Sequence, residues 1–324
     1  MNVALIYPAA CLAAAMTTAA SMPFWKRWCQ KTGVMDDPGH RKIHSTPIAL
    51  AGGMAVMTGI LLPLIAGALV SMALPHSNVA GLFQHGFSVR STRLVLLVVG
   101  ALGMLAIGLL DDKMELSAAV KFGGQLFVAL MVAAAGVRIT LFVPSVVFSY
   151  AVTSLWILTV VNAVNFMDNM NGLCAGLGVI GAAWFGLIAA LEGQYLVATM
   201  AFISAGALVG FLPYNYPKAT SFLGDAGSHL TGYLLAVLAI LPHFYSRKHP
   251  VPLAVLTPLL VLAVPLGDLV WVVILRWRMG KPVYVGDTNH LSHRLVRRGF
   301  KQSTAVALIW LIAAVAGAAA FVLQ

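Results

Sequence analysis

The sequence predicts an all-α polytopic membrane protein with about ten transmembrane helices, for three reasons. Of its 324 residues, 60% are hydrophobic and only 9% are charged, whereas a soluble domain carries about a quarter charged residues. Long charge-free runs recur from end to end, and runs of roughly 18 or more apolar residues predict transmembrane helices. The runs do not alternate polar and apolar residues, which excludes a membrane barrel. We expect a single integral membrane domain over residues 1–324.

Ten spans are expected in chain order: 3–22, 51–73, 93–110, 119–136, 146–165, 173–191, 195–212, 228–245, 251–275 and 303–323. The first resembles a signal-peptide core, but basic residues follow it and none precedes it. That polarity is typical of a retained helix with its N-terminus outside. If the segment from Leu141 to Phe148 enters the membrane, the count changes.

Ten spans divide the loops between two faces, and the charges are unequal. Of the 20 Lys and Arg residues, 15 lie on one face, which the positive-inside rule makes cytoplasmic. Eight of the ten acids lie there too: Asp36, Asp37, Asp111, Asp112, Glu115, Asp168, Asp225 and Asp287. Because that rule acts weakly on acids, a shared site explains their position better. The net charge of +10 is better explained by topology and anionic lipid or phosphate than by nucleic acid.

Two polar segments at the ends of apolar runs carry candidate site residues. Asp111 and Asp112 end the third span, where adjacent carboxylates repel each other unless a cation or proton lies between them. The alternative is a helix cap with Lys113 as counter-ion, and Lys121 begins the next span. The segment NAVNFMDNMNGL, from Asn162 to Leu173, holds more amides than a turn needs and predicts a binding loop.

The last two loops on this face add an acid and several cations. Asp225 lies within GDAGS before the eighth span, either as a simple N-cap or as a magnesium ligand beside a substrate phosphate. The loop RWRMGKPVYVGDTNHLSHRLVRRGFKQS contains His290 and His293 on one helix face. Its Arg residues repel a cation and no Cys completes a zinc site, so phosphate binding fits better, with a plain cationic lipid-facing loop as the alternative.

Three features are secondary to these. The first loop, DDPGHRKIHSTPIALAGG, is either a lid over the site or an extended entry to the second helix. Asp268 lies inside the ninth span, where Pro258 and Pro265 predict a bent or broken helix, and it is functional or a structural hydrogen-bond acceptor. The glycine series from Gly172 to Gly181 predicts helix packing rather than nucleotide binding, because no strand precedes it. Three widely spaced cysteines predict neither disulfides nor zinc.

Together these segments supply carboxylates for a hard cation, amides for a polar ligand and many cationic donors. That set predicts Mg²⁺-dependent phosphoryl transfer between a cytosolic diphosphate compound and a lipid of the bilayer. The alternative from another class is a transporter or lipid flippase. It would need polar residues near mid-membrane in several helices, and Asp268 alone meets that description.

Five motifs occur in an order and spacing that resemble a known family: RKIHSTPIALAGG, GLLDDKMELSAAVKF, NAVNFMDNMNGL, FLGDAGS and DTNHLSHRLVRRG. The resemblance is to the polyprenyl-phosphate N-acetylhexosamine-1-phosphate transferases of glycosyltransferase family 4, which include WecA, TagO and MraY. It covers about residues 36–300. It implies transfer of a sugar-1-phosphate, foremost GlcNAc-1-phosphate, from a UDP-sugar to undecaprenyl phosphate with release of UMP. It also implies Mg²⁺ or Mn²⁺ as cofactor, a homodimer, and a bacterial plasma-membrane location where cell-envelope glycans are initiated.

The matched motifs imply roles for the candidate residues. Asp111 and Asp112 match the pair that deprotonates or orients the lipid phosphate, as a base in direct attack or as a nucleophile in a covalent mechanism. Asp225 matches the magnesium aspartate, and Asn165 matches the asparagine near it, as a metal and substrate-binding residue. The remaining matches are Asp168 at the uracil end, Lys42, Lys121, Asn171 and Arg294 as substrate-binding residues, and His290 and His293 as the catalytic histidine motif.

The sequence departs from the family pattern in three places. Asn171 stands where many members carry a second Asp, the histidine segment reads NHLSH, and the first loop reads TPIALAGG. These differences favour a WecA/TagO-like branch over a MraY-like enzyme that uses another UDP-amino sugar. Asn171 is also compatible with a non-catalytic member, against which the retention of the acids argues.

Overall fold

The computed structural model describes residues 5–37, 46–73, 78–242, 252–282 and 288–323. Two expected site-loop residues, Lys42 and Asp287, lie outside the described residues. The helices are α1 (Ile6–Thr32), α2 (Gly52–Ala73), α3 (Asn78–Met114), α4 (Ala118–Ala134), α5 (Val146–Phe166), α6 (Leu173–Leu191), α7 (Tyr195–Asn215), α8 (Gly224–Leu238), α9 (Thr257–Val261), α10 (Ala263–Arg278), α11 (Leu291–Arg297) and α12 (Gln302–Val322). The antiparallel strands β1 (Met35–Asp36) and β2 (Ile48–Ala49) form a short ribbon.

The predicted all-α membrane architecture is confirmed. Within the described residues, six helices are long and apolar enough to cross a membrane, or up to seven if α9 and α10 form one span. The six are in α2, α3, α5, α6, α7 and α12. With 17 and 15 residues, α4 and α8 are shorter than the ~20 residues that a hydrocarbon core of ~30 Å requires. The count of ten spans therefore stays a prediction.

Several helix boundaries differ from the predicted ones. Helix α1 continues to Thr32 rather than ending near residue 22, and it ends where Gly33 adopts a left-handed conformation (φ 74°). Helix α3 begins at Asn78 and has 37 residues, although its apolar part spans Ser91–Met114. Helix α8 runs from Gly224 to Leu238, so it begins and ends earlier than the predicted span of 228–245. Apolar length alone thus underestimates α1 and α3, which run on into polar sequence.

The predicted break in the ninth span is confirmed. Helices α9 and α10 meet at Leu262 and are bent by 74°. Pro258 and Pro265 each lie in the first turn of one of these two helices, where a missing N–H is tolerated because it has no helical partner. The break places Asp268 in the second turn of α10.

The glycine series on α6 packs helices together, as predicted. A Cβ added at Gly176 would lie 2.1 Å from Trp310 Cε2 of α12. One added at Gly178 would lie 2.7 Å from Thr231 Cγ2 of α8. Small residues are therefore needed where α6 contacts these two neighbours.

The glycine pair of the first loop brings α2 against the start of α8. The N–H groups of Gly52 and Gly53 donate to the carbonyls of Phe222 and Leu223, both at 3.0 Å. A Cβ at Gly53 would lie 2.5 Å from the backbone nitrogen of Gly227. This backbone contact fixes the segment that carries Asp225.

Candidate functional site

A cavity of about 1080 Å³ lies where the polar ends of several helices meet. Its lining includes Asp111, Asp112, Lys121, Asp168, Asn169, Asn171, Asp225 and His293. The first loop contributes Asp36, Asp37, Thr46 and Ile48. All five segments that the sequence singled out therefore reach one cavity, whose size and lining suit a large polar ligand.

Lys121 lies between two carboxylates on different helices. Its ammonium contacts Asp111 Oδ2 and lies 3.6 Å from Asp225 Oδ2. The other oxygen of Asp111 accepts from the N–H of Leu116 at 2.8 Å. Asp111 is buried, whereas Asp225 remains about one-third exposed to the cavity. The cluster joins α3, α4 and α8 at one point and leaves one carboxylate open to a ligand.

Asp112 has a different environment from its neighbour. Its two carboxylate oxygens accept the N–H groups of Asp225 at 2.8 Å and Ala226 at 3.1 Å. Gly224 is left-handed (φ 73°), and a Cβ there would lie 2.7 Å from Asp112 Oδ2. Asp112 is thus an N-terminal cap of α8, supplied by α3, and it holds the backbone of Asp225.

We expect Asp112→Ala to lower both stability and activity. The change removes two acceptors from the start of α8, and loss of a helix cap costs about 0.5–2 kcal/mol. Thermal melting in detergent should show a lower midpoint, and turnover should fall because Asp225 loses its support. Lys113→Ala is the matched control, since the neighbouring Lys113 is exposed. An unchanged melting midpoint for Asp112→Ala would contradict the capping role.

Asn165 orients the carboxylate of Asp225. Its amide nitrogen donates to Asp225 Oδ1 and to Ser228 Oγ, both at 2.8 Å. A donating amide nitrogen is not a metal ligand, so the predicted metal role of Asn165 would have to use its oxygen. In this arrangement Oδ2 is the oxygen of Asp225 left for a cation.

The carboxylate set fits a magnesium ion that is completed by a ligand. No group of three or more His, Cys, Asp or Glu side chains arranged to hold a metal occurs among the described residues. Mg²⁺ commonly binds through one or two carboxylates plus substrate phosphates, and keeps several waters. Asp225 can supply such a carboxylate, with Asp111 and Lys121 as the neighbouring charges.

Asp168 lies in the turn after α5 and lines the same cavity. Burial, together with the negative charges of Asp225 and Asp112, raises the pKa of Asp168 to about 8. The raised pKa favours the protonated form of the side chain, which offers a donor as well as an acceptor.

The amide-rich loop around Asp168 ties three segments together. Asn169 Oδ1 accepts from Ser292 Oγ at 2.6 Å. Asn171 donates to the carbonyl of Pro217 at 3.3 Å, and the N–H of Gly172 donates to Asn215 Oδ1 at 2.6 Å. The buried Asn215 was missed by sequence reasoning, because a single Asn at a helix end gives no distinct signal.

The histidine segment divides its predicted residues between cavity and protein interior. His293 lines the cavity. His290 is buried, and its Nδ1 lies 2.6 Å from Asp268 Oδ2. The guanidinium of Arg294 lies 4.5 Å above the ring of Trp271, in a cation–π arrangement. Of these three, His293 is the one in direct contact with the cavity.

A buried polar layer lies one helical turn below the cluster, and two of its three residues, Gln125 and His229, were also missed. Gln125, Asn162 and His229 are on α4, α5 and α8, four residues after Lys121, three before Asn165 and four after Asp225. Gln125 accepts from Asn162 Nδ2 at 2.7 Å and donates to His229 Nε2 at 3.2 Å. The helical spacing to the site residues was the signal that could have revealed it.

Proteins of assigned function resemble this chain along most of its length. Residues 94–243 match the family model described as glycosyl transferase family 4. The chain is 32% identical over 317 residues to the probable undecaprenyl-phosphate N-acetylglucosaminyl 1-phosphate transferase of Bacillus subtilis, which covers 95% of this chain and 82% of that protein.

Two further relatives have similar names. Identity is 34% over 306 residues with the decaprenyl-phosphate N-acetylglucosaminephosphotransferase of Mycobacterium leprae, covering 85% of this chain and 73% of that protein. It is 28% over 308 residues with the undecaprenyl-phosphate alpha-N-acetylglucosaminyl 1-phosphate transferase of Escherichia coli (strain K12), covering 90% and 77%.

Proposed function

Because the chain belongs to glycosyl transferase family 4, we propose that it transfers N-acetylglucosamine-1-phosphate from UDP-N-acetylglucosamine to a polyprenyl phosphate and releases UMP. The relatives named above act, by name, on undecaprenyl or decaprenyl phosphate. The transporter reading receives no support from these relatives, and neither does a MraY-like substrate.

The observation that carries this proposal is the cluster of Asp111, Lys121 and Asp225 on the wall of a large polar cavity. Transfer of a phosphoryl group needs charge neutralisation and positioning more than covalent help from the protein. Lys121 supplies a positive charge beside the carboxylates, and Asp168 and His293 line the same cavity, within reach of a nucleotide-sugar.

Mg²⁺ is the cofactor that this donor set suits, with Mn²⁺ as a substitute. We assign its binding to Asp225 through Oδ2, with Asp111 adjacent and Asn165 orienting Asp225. When bound, the ion would neutralise phosphate oxygens of the substrate. The chain's own residues place that charge: Asp112 holds the backbone of Asp225, and Lys121 keeps the two carboxylates together.

We propose a direct attack by the lipid phosphate. Its oxygen forms a bond to the β-phosphorus of the UDP-sugar, the bond from that phosphorus to the α-phosphate oxygen breaks, and UMP leaves with the electron pair. Asp111 would accept any proton left on the lipid phosphate. Neither acid of the pair is well suited to be a covalent nucleophile. Both oxygens of Asp112 accept backbone N–H groups, and those of Asp111 accept from Leu116 and contact Lys121.

An apolar groove between α4 and α5 suits the prenyl chain. Its volume is about 670 Å³, and its lining includes Leu126, Leu130, Val147 and Leu155. Lys121 precedes Leu126 by five residues, or about 7.5 Å along the helix axis. A lipid whose tail lies in the groove would therefore have its phosphate at about the depth of Lys121, and would reach the cavity by passing around α4.

We propose the predicted topology for this chain: ten spans, an outside N-terminus and a cytoplasmic active site in a bacterial plasma membrane. The support is the distribution of basic residues, 15 of 20 on the site's face. The homodimer stays a prediction from the family resemblance.

Mg²⁺ removal should stop the reaction. Purified protein, undecaprenyl phosphate and radiolabelled UDP-GlcNAc should give a labelled lipid, and EDTA should reduce the rate by at least about 100-fold, because the ion supplies several kcal/mol of charge stabilisation. Added Mg²⁺ should restore it. UDP-N-acetylmuramyl-pentapeptide is the control donor and should give no product.

Three results would contradict parts of this proposal. A full rate in EDTA would overturn the metal assignment. Product from the muramyl donor alone would overturn the sugar assignment, and UMP exchange without lipid acceptor would favour a covalent intermediate. Absence of product with every UDP-sugar and both polyprenyl phosphates would overturn the function.

A further inference from the structure

Asp268 and His290 form a buried pair that the proposed chemistry does not use. Both residues are 5% exposed. His290 Nδ1 donates to Asp268 Oδ2 at 2.6 Å, and the N–H of Leu291 donates to Asp268 Oδ1 at 2.6 Å. One carboxylate therefore holds both the imidazole and the backbone at the start of α11.

The short helix α11 needs such an anchor. It has seven residues, and a helix of that length is not stable alone. Its N-cap residue, His290, makes no side-chain cap to its own helix. The acceptor comes instead from α10, which the break at Leu262 turns by 74° relative to α9. Asp268 thus joins two helices that are 12 residues apart at their nearest ends.

Helix α11 carries two groups that bear on the cavity. His293 lines it directly. The fully buried Ser292 donates to Asn169 Oδ1 at 2.6 Å, next to Asp168 in the chain. The ring of His290 also packs edge-on against Phe166, with centroids 5.6 Å apart, at the end of α5. A shift of α11 would therefore move His293 and the Asp168 loop together.

We propose that Asp268 and His290 are positioning residues, which hold α11 so that His293 and Asn169 form the nucleotide-sugar side of the cavity. This inference rests on the proposed function and divides the histidine motif: His290 supports the site, and His293 contacts the ligand. The carboxylate also selects the state of His290 that carries a proton on Nδ1, because a carboxylate accepts and does not donate.

Asp268→Asn tests the anchor with almost no change in shape. The amide oxygen can still accept from Leu291, but the amide nitrogen then meets the N–H of His290 and forces the other tautomer. We expect KM for UDP-GlcNAc to rise at least tenfold, whereas KM for undecaprenyl phosphate changes less than twofold, because the Asp111–Lys121 side is untouched. Val270→Ala, exposed on the same helix, should leave both values within twofold.

A double-mutant cycle separates a shared role from two independent ones. If the pair acts as a unit, the double variant Asp268→Asn with His290→Gln should raise KM for UDP-GlcNAc no more than about twofold beyond the larger single effect. If the two residues act independently, the fold-increases in KM of the two single variants should multiply in the double variant. Equal increases in both KM values, in proportion to a lower melting midpoint, would overturn the positioning role in favour of general structural support.

The activity of the wild-type protein distinguishes failure of the proposed function from failure of the positioning role. A wild type that makes no lipid-linked sugar would overturn the proposed function itself. An active wild type with unchanged KM values in Asp268→Asn would overturn this inference alone. If Asp268→Asn fails to fold, His290→Gln provides the same comparison of KM values, with the same outcomes for and against.

Discussion

Asp225→Asn should abolish transfer, with a loss of at least about 1,000-fold in kcat. The amide is nearly the same size but lacks the negative charge that a magnesium ion needs. Asp225 Oδ1 is engaged by Asn165, so the substitution removes the charge at the one oxygen left for the ion, Oδ2. The measurement is formation of radiolabelled polyprenyl-diphospho-sugar by purified protein in detergent.

The control for this variant is Glu192→Gln, an acidic residue at the opposite end of α6 from the site. It should retain the wild-type rate. Asp225→Asn should also lose the increase in melting midpoint that Mg²⁺ with UDP-GlcNAc gives the wild type, since a ligand that binds only the folded state stabilises it. Turnover within tenfold of wild type would show that the metal is bound elsewhere.

Lys121→Met should lower kcat by at least about 100-fold. The substitution keeps the length of the side chain but removes the ammonium that contacts Asp111 and lies 3.6 Å from Asp225. Two neighbouring carboxylates are then left without a fixed positive charge, and the transferred phosphoryl group loses one source of stabilisation. Lys121→Arg should retain an intermediate rate, because the charge is kept in a different shape.

For Lys121→Met, binding of Mg²⁺ shows whether the variant has lost only catalysis or has also lost the metal site. Without the competing ammonium, Lys121→Met should be stabilised by Mg²⁺ at least as strongly as the wild type in a melting experiment. Lys113→Met, an exposed neighbour, should match the wild type in both rate and melting. A Lys121→Met variant with more than half the wild-type rate would remove Lys121 from the mechanism.

The sequence could predict the meeting of the five motifs because each stands at the end of an apolar helix. Successive spans cross the membrane in opposite directions, so every second loop lies on the same face. Counting spans was therefore enough to place Asp111, Asp168 and Asp225 on one face. Which of these side chains contact one another depends on how each helix is rotated and shifted along its axis relative to its neighbours. Residue spacing does not specify either quantity. The common location was therefore predictable, whereas the hydrogen-bond partners were not.

Asp111 and Asp112 illustrate this limit. Adjacency in sequence suggested one shared job, but consecutive residues on a helix point about 100° apart. Asp111 faces α4 and its lysine, whereas Asp112 faces the start of α8. The depth of Asp268 posed a similar problem, since a straight helix would have placed it away from the site. The prolines predicted that this helix is broken, but not the direction of the bend. His290 could be identified as the partner of Asp268 only from the structure.

The buried layer of Gln125, Asn162 and His229 bears on the rigidity of the site beside it. Its hydrogen bonds run between α4, α5 and α8, and Gln125 and His229 are almost fully buried. Lys121, Asn165 and Asp225 lie about one turn away on the same three helices. The layer therefore opposes rotation of any one helix, which would separate these three side chains, and the geometry of the charged cluster is set in part by neutral groups that do not belong to it.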